Sequence, residues 1–170
     1  WLHGDRVAYT DKTSNVAISA DWSSGKIGMT GRSYAGTTQF GLATTGVAGL
    51  ETIVPVAGIA SWYEYTNSQG ISTNSLVNYS ERLGWYCNGR YLDPDDYATI
   101  AEKYGNYMYQ IQQDQLKSNG DYSEHWATRD YTLDAENIKC PALIVHGLND
   151  DNVRTKEFDL MYQALSLIHI

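Results

Sequence analysis

The sequence is poor in cysteine and in positive charge, and it has no long hydrophobic run. Its two cysteines, Cys87 and Cys140, stand far apart among 170 residues. They offer neither metal-site spacing nor a disulfide framework, so a reducing compartment, the cytoplasm, is expected. Lys and Arg number 12 against 20 Asp and Glu, for a formal net charge of −8. This argues against a nucleic-acid partner, whose phosphates need clustered cations. The acidic balance suits a cationic ligand such as a peptide amino terminus, and equally plain solubility. No stretch reaches the roughly 18 apolar residues of a membrane span, so no membrane partner is expected. No repeat or low-complexity tract occurs.

What is present suits one soluble domain with a real core, rich in tyrosine at 14 residues. Trp1–Thr13 reads as a short helix or extended arm. Ile27 and Met29, between Gly25 and Gly31, suit a short buried strand. Thr37–Thr45 is small and weakly apolar, a helix packed under a sheet and ended by Gly46 and Gly49. Leu50–Ala60 holds a β-branched run, with Pro55 predicting a local irregularity. Residues 61–130 lack strong β runs and are expected to be a mostly helical insertion, with a helix over Asp95–Gln115 capped by Asp93 and opened by Pro94. Ala142–Val145 reads as a strand buried on both faces. Val153–Ala164 follows as an amphipathic helix. Strands alternating with helices predict an α/β fold with a parallel sheet. Residues 1–60 form its first part, and 131–164 a later strand, loop and helix.

Both ends look unnatural. The chain opens on Trp1 rather than Met, so its native amino terminus is expected upstream. Residues 165–170 read as the translation of a common sequencing-adapter end. The native sequence is therefore expected to stop near Ala164, and His169 is recruited to no site.

One segment carries chemistry. Gly31-Arg32-Ser33-Tyr34-Ala35-Gly36 follows an apolar strand and precedes a small-residue helix. This is the context of a nucleophile elbow, in which a serine sits on a sharp turn with its hydroxyl exposed and nearby glycines relieve the crowding. Position 35 is Ala, so the strict pattern is G-x-S-x-A with Gly36 one residue later. The second signal is His146-Gly147-Leu148-Asn149-Asp150-Asp151, where an acid follows the end of a buried strand. In an α/β-hydrolase the triad acid lies there, after the serine and before the histidine. Ser33 is the predicted nucleophile and Asp150 the predicted acid, with Asp151 as its neighbouring rival. The Tyr34 N–H would donate to the oxyanion. A tyrosine of Ser61-Trp62-Tyr63-Glu64-Tyr65 could give the second donor, or simply pack. Of the other histidines, His3 reads as a surface residue, His146 as packed or hydrogen-bonded, and His125 as without chemistry. The general base is therefore expected beyond these 170 residues.

The run from Ala20 to Tyr34, the Trp62-Tyr63-Glu64-Tyr65 segment and the run from Cys140 to Asp150 resemble the Xaa-Pro dipeptidyl-peptidases, proline-specific serine peptidases related to cocaine esterase and acylases. The resemblance extends from about Trp1 to about Ala164. It implies an α/β-hydrolase catalytic domain fragment, with Ser33 as nucleophile, Asp150 as triad acid, Tyr34 as backbone oxyanion donor and Tyr65 as the hydroxyl completing the oxyanion hole. Trp62 and Tyr63 would line the proline pocket. It also implies removal of X-Pro dipeptides from free amino termini by intracellular homodimers acting on proline-containing peptides, without metal or organic cofactor. Ala35 and Asp151 depart from the bulkier residues expected there. Glu64 and Glu81 are candidates for binding the substrate amino terminus, or surface charges. The rival readings are an esterase or acylase of the same superfamily and a catalytically dead, hydrolase-like binding module. Without the general base the 170 residues alone are expected to be inactive, and open sheet edges predict poor solubility.

Overall fold

The computed structural model describes residues 1–68, 71–72, 97–116 and 120–169. The chain divides into two compact units, Trp1–Ala60 with Tyr131–Ile170, and Ser61–Asp130. Asp93, Pro94, Glu81 and Cys87 lie outside the described residues. Among those described, no helix is long and apolar enough to cross a membrane.

In the first unit, the amino-terminal segment forms a small antiparallel hairpin, β1 (Ala8–Tyr9) with β2 (Ala17–Ile18), in place of the expected helix or arm. The turn explains it. Asp11 Oδ1 accepts the N–H groups of Thr13 (2.8 Å) and Ser14 (2.7 Å), an Asx arrangement that competes with helix. Hydrogen bonds from the Ser14 hydroxyl, then from the Ser14 and Thr13 amides, hold the Asp11 carboxyl well below the usual range.

β3 (Ile27–Arg32) alternates half-buried and exposed residues, as a strand with one covered face must. It pairs in parallel with β4 (Leu50–Val56), from Ile27 opposite Leu50 to Arg32 opposite Val56. The crossover between them is helix α1 (Tyr34–Ala43), which begins directly after Ser33, earlier than the sequence predicts. β4 is the middle strand, flanked on its other side by 142–145 through parallel bridges Ile53–Ala142 and Val56–Val145. The expected irregularity at Pro55 falls on this side. Ile53 and Ala57 donate their N–H groups to the carbonyls of Pro141 (3.1 Å) and Val145 (2.8 Å). Between them Pro55 has no N–H to give, so the pairing breaks into isolated bridges.

A 3₁₀ stretch, Tyr131–Asn137, returns the chain to the core, and helix α5 (Lys156–His169) closes the unit. Phe40, Ala43, Ile53, Ala60, Ala135, Ile138 and Met161 form one buried cluster, with Ala164 and Leu165 packed against it. Glu157 falls on the buried stripe of α5 and is 1% exposed. Its Oε2 accepts the Ala60 N–H at 2.9 Å, which offsets part of the cost of burying a carboxylate.

The second unit starts with helix α2 (Trp62–Thr66), followed by the hairpin β5 (Asn67–Ser68) and β6 (Ile71–Ser72). Among its described residues, helices α3 (Tyr97–Leu116) and α4 (Glu124–Ala127) follow. Its two ends are stitched by an antiparallel bridge between Ser61 and Asp130 and by the Trp62 N–H donating to the Arg129 carbonyl at 3.2 Å. Among its described residues, aromatic rings meet edge to face. The Tyr63 ring meets Tyr122 at 5.2 Å and Trp126 at 5.6 Å, both edge-on.

Candidate active site

Ser33 sits between the last residue of β3 and the first of α1, with φ 60° and ψ −122°. A side chain at positive φ costs on the order of 1–3 kcal/mol and persists only where its surroundings over-determine it. They do so here. The Ser33 N–H donates to the Val56 carbonyl at 2.9 Å. The Ser33 carbonyl accepts the N–H groups of Gly36 (2.8 Å) and Thr37 (2.9 Å) and the Thr37 hydroxyl (3.2 Å).

The two glycines of the motif answer to close approaches. A Cβ on Gly31 would stand 2.7 Å from the Ala35 Cβ. A Cβ on Gly36 would stand 2.8 Å from the Val56 carbonyl oxygen and 3.2 Å from both the Gly31 oxygen and the Gly58 Cα. Gly36 therefore lets α1 lie on the end of β4, and Gly31 makes room for Ala35. Two polar residues on α1 that the sequence reading passed over secure this contact. Thr37 is 2% exposed and its hydroxyl accepts the Ile59 N–H at 2.9 Å. Gln39 is fully buried, donates to the Ala35 carbonyl at 2.9 Å and accepts the Val54 N–H at 3.0 Å. Polar side chains at two positions of a helix packed under a sheet were the signal for them.

The parallel register carries three strand ends to one edge. Arg32 stands opposite Val56, and Val56 opposite Val145. Ser33, Ala57 and His146 therefore follow at the same carboxyl edge, where open α/β sheets bind ligands. Ala57 also takes positive φ, at 49°.

Beyond Val145 the chain makes a tight loop. The Asp150 N–H donates to the Gly147 carbonyl at 3.1 Å. Asp150 Oδ1 accepts the N–H groups of Asn152 (3.0 Å) and Val153 (2.9 Å). Its Oδ2 lies 4.0 Å from His146 Nε2, beyond hydrogen-bond range. Asp151 is exposed. Between the rival acids, Asp150 is the one whose carboxylate the loop fixes in place.

Tyr34 is half exposed and is the first residue of α1, directly after Ser33. The structure thus gathers Ser33, Tyr34 and Asp150 at one edge of the first unit. Trp62, Tyr63 and Tyr65 share helix α2 of the second, where Tyr63 and Tyr65 are buried and the Trp62 and Tyr65 rings meet edge-on at 5.8 Å. His3 Nδ1 bonds the Gly25 carbonyl (2.9 Å), and His146 Nε2 the Val153 carbonyl (2.7 Å). Burial raises the Cys140 thiol above its ordinary pKa, so it carries little thiolate. Among the described residues, no group of three or more His, Cys, Asp or Glu side chains is arranged to hold a metal ion.

An elbow serine and a loop-fixed acid stand at one sheet edge, and comparison with known proteins gives the family. The profile of the X-Pro dipeptidyl-peptidase (S15) family matches residues 1–167. The chain belongs to this family. It is 43% identical over 97% of its length to a Xaa-Pro dipeptidyl-peptidase of Lactobacillus helveticus. It is 38% identical over 97% of its length to a putative Xaa-Pro dipeptidyl-peptidase of Bacillus anthracis. It spans only 21% of the first and 26% of the second, roughly a fifth to a quarter of these relatives. Among solved structures it resembles an α-amino acid ester hydrolase (TM-score 0.54, 19% identity, 85% of this chain and 26% of that one). It also resembles the acylaminoacyl peptidase of Pyrococcus horikoshii (TM-score 0.53, 16% identity, 85% and 18%). These likenesses give the S15 chain its fold, part of an α/β-hydrolase with a parallel sheet.

Proposed function

We propose that these residues belong to a serine peptidase that releases X-Pro dipeptides from free peptide amino termini. Ser33 Oγ attacks the carbonyl carbon of the penultimate proline, and the remainder of the peptide leaves as an amine. Water then hydrolyses the acyl-enzyme. Asp150 orients the imidazole and stabilises the imidazolium. The Tyr34 N–H and the Tyr65 hydroxyl hold the oxyanion, and Trp62 and Tyr63 line the proline pocket. The general base follows the acid in chain order in this fold. We assign it to chain outside these 170 residues, a reading supported by the much greater length of the relatives. The complete enzyme is read as a cytoplasmic homodimer, to be checked by light scattering and cell fractionation.

The observation that carries the proposal is the forced backbone of Ser33 at the same sheet edge as the loop-fixed carboxylate of Asp150. The test uses the complete reading frame on Ala-Pro-nitroanilide, its acetylated form and a short acyl ester, with Ser33→Ala as control. Cleavage of the free-amino peptide alone, abolished in Ser33→Ala, is the expected result. Cleavage of the ester but neither peptide would move the protein to the esterases.

A further inference from the structure

The loop that bears Asp150 is gripped from two sides at one residue, Val153, which is 3% exposed. From one side, Asp150 Oδ1 takes the Val153 N–H at 2.9 Å. From the other, His146 Nε2 bonds the Val153 carbonyl at 2.7 Å. A carbonyl only accepts, so Nε2 carries the hydrogen and His146 donates. Its Nδ1 is buried and bonded to no described group. The side chain is 3% exposed and its ring lies 5.5 Å from that of Phe158. A histidine walled in this way, with one nitrogen left unpaired, is there for the bond that the other nitrogen makes.

That bond closes a loop of eight residues, 146–153, which follows the bridged segment 142–145. With Val153 pinned, its N–H and that of Asn152 hold Asp150 Oδ1, and the remaining oxygen, Oδ2, has a fixed direction. Oδ2 stands 4.0 Å from Nε2, too far to be drawn into a bond with His146. It is left to serve another donor.

We propose that His146 is a positioning residue for catalysis: by clasping the Val153 carbonyl it fixes the loop that aims Asp150 Oδ2 at the imidazole of the general base. It touches no substrate and exchanges no proton. The inference rests on the reading of Asp150 as the triad acid. What His146 sets is the geometry of the acid, and so the rate of the chemical step rather than the affinity for peptide.

The test compares His146→Gln with His146→Asn in the complete enzyme, with Asp150→Asn and Ser33→Ala alongside. A glutamine amide reaches the place of Nε2 and retains an N–H for Val153, whereas an asparagine amide reaches only the place of Nδ1. Two readouts are taken, kcat and KM on Ala-Pro-nitroanilide, and the rate at which a fluorophosphonate labels Ser33 with no substrate present. His146→Asn is expected to lose about 10²-fold in kcat and in labelling rate, the order that misplacement of a positioned group costs, with KM unchanged. His146→Gln is expected to recover most of the loss. Equal kcat and labelling in the two variants, whether both high or both low, would overturn the role of His146, as would a change confined to KM. Failure of the underlying reading looks different: Asp150→Asn would then keep the parent's rate whatever the His146 variants do.

Discussion

The two units are held together by different physics. In the first, the working positions are set by backbone. The Ser33 N–H meets the Val56 carbonyl, α1 rests on β4 with only hydrogen at Gly36, and Asp150 is gripped by two amides. Each is a contact at bond or van der Waals distance with little room to relax. Among the described residues of the second unit, side-chain rings meet edge to face around Tyr63 and Trp126, and a stitch joins its ends. Such contacts are broad and individually modest. A small error should therefore be severe in the first unit and graded in the second.

The sharpest break is at the elbow glycines. Gly36→Ala places a Cβ 2.8 Å from a backbone oxygen that cannot move aside, and activity is expected to fall by several orders of magnitude as Ser33 is displaced. Gly31→Ala collides first with a side-chain atom, the Ala35 Cβ. Its loss should be partly recovered by Ala35→Gly, at a helix cost of about 1 kcal/mol. Kinetics on the three single variants and on the two double variants that carry Ala35→Gly check this, and an equal rescue of Gly36→Ala by Ala35→Gly would refute the steric assignment. Next in size is Asp150→Asn, expected to lower kcat about 10⁴-fold, as loss of a triad acid does elsewhere. Asp151→Asn, at an exposed carboxylate, should stay within a few-fold.

Stability offers a gentler version of the contrast. Phe40 is fully buried in the central cluster of the first unit, and Phe40→Ala should cost about 3–5 kcal/mol in denaturant unfolding. Trp126→Phe keeps an aromatic ring against Tyr63 and removes an indole N–H that has no partner among the described groups. It should cost less than Phe40→Ala, because the void it leaves is smaller. A larger loss at Trp126 than at Phe40 would reverse the ranking of the two interiors.

The same division separates what the sequence made legible from what it hid. The parallel α/β arrangement and the family could be read because glycine spacing and strand runs follow backbone rules. Pro55 announced a broken ladder for the same reason. The amino-terminal hairpin was missed because its strands are two residues long, too short for any period, and the signal lay instead in Asp11 ahead of Thr13 and Ser14. The polar clamps Thr37 and Gln39 were hidden inside a helix read only for its small apolar residues. In the second unit the tyrosines and tryptophans were visible as a composition, but pairing Tyr63 with Tyr122 across a long sequence gap needs three dimensions. The domain bounds at 61 and 130 and the roles of Trp62, Tyr63 and Tyr65 remain proposals of the sequence, to be decided by substitution.

The smallest expected effect lies at Tyr122, in the ring cluster of the second unit. Burial, then the negative charge of Asp130 and the 3.1 Å hydrogen bond to its Oδ2, push the Tyr122 hydroxyl up to about 12. An unfolded tyrosine titrates near 10. The folded state thus holds its proton more tightly, and the stability this contributes is complete below about pH 10 and is lost as pH rises from there to about 12. Tyr122 is 45% exposed, so water screens the effect and the change in unfolding midpoint should be slight. Asp130→Asn removes the charge and weakens the acceptor but leaves the burial. It should bring the titration of Tyr122 part of the way back toward 10, as followed by the ring-carbon NMR shift, and flatten the pH dependence of stability in that window. Because burial is the larger cause, a complete return to 10 would mean that the Tyr122 ring had left its place against Tyr63. The aromatic cluster would then depend on this one hydrogen bond, and the second unit would be as brittle as the first.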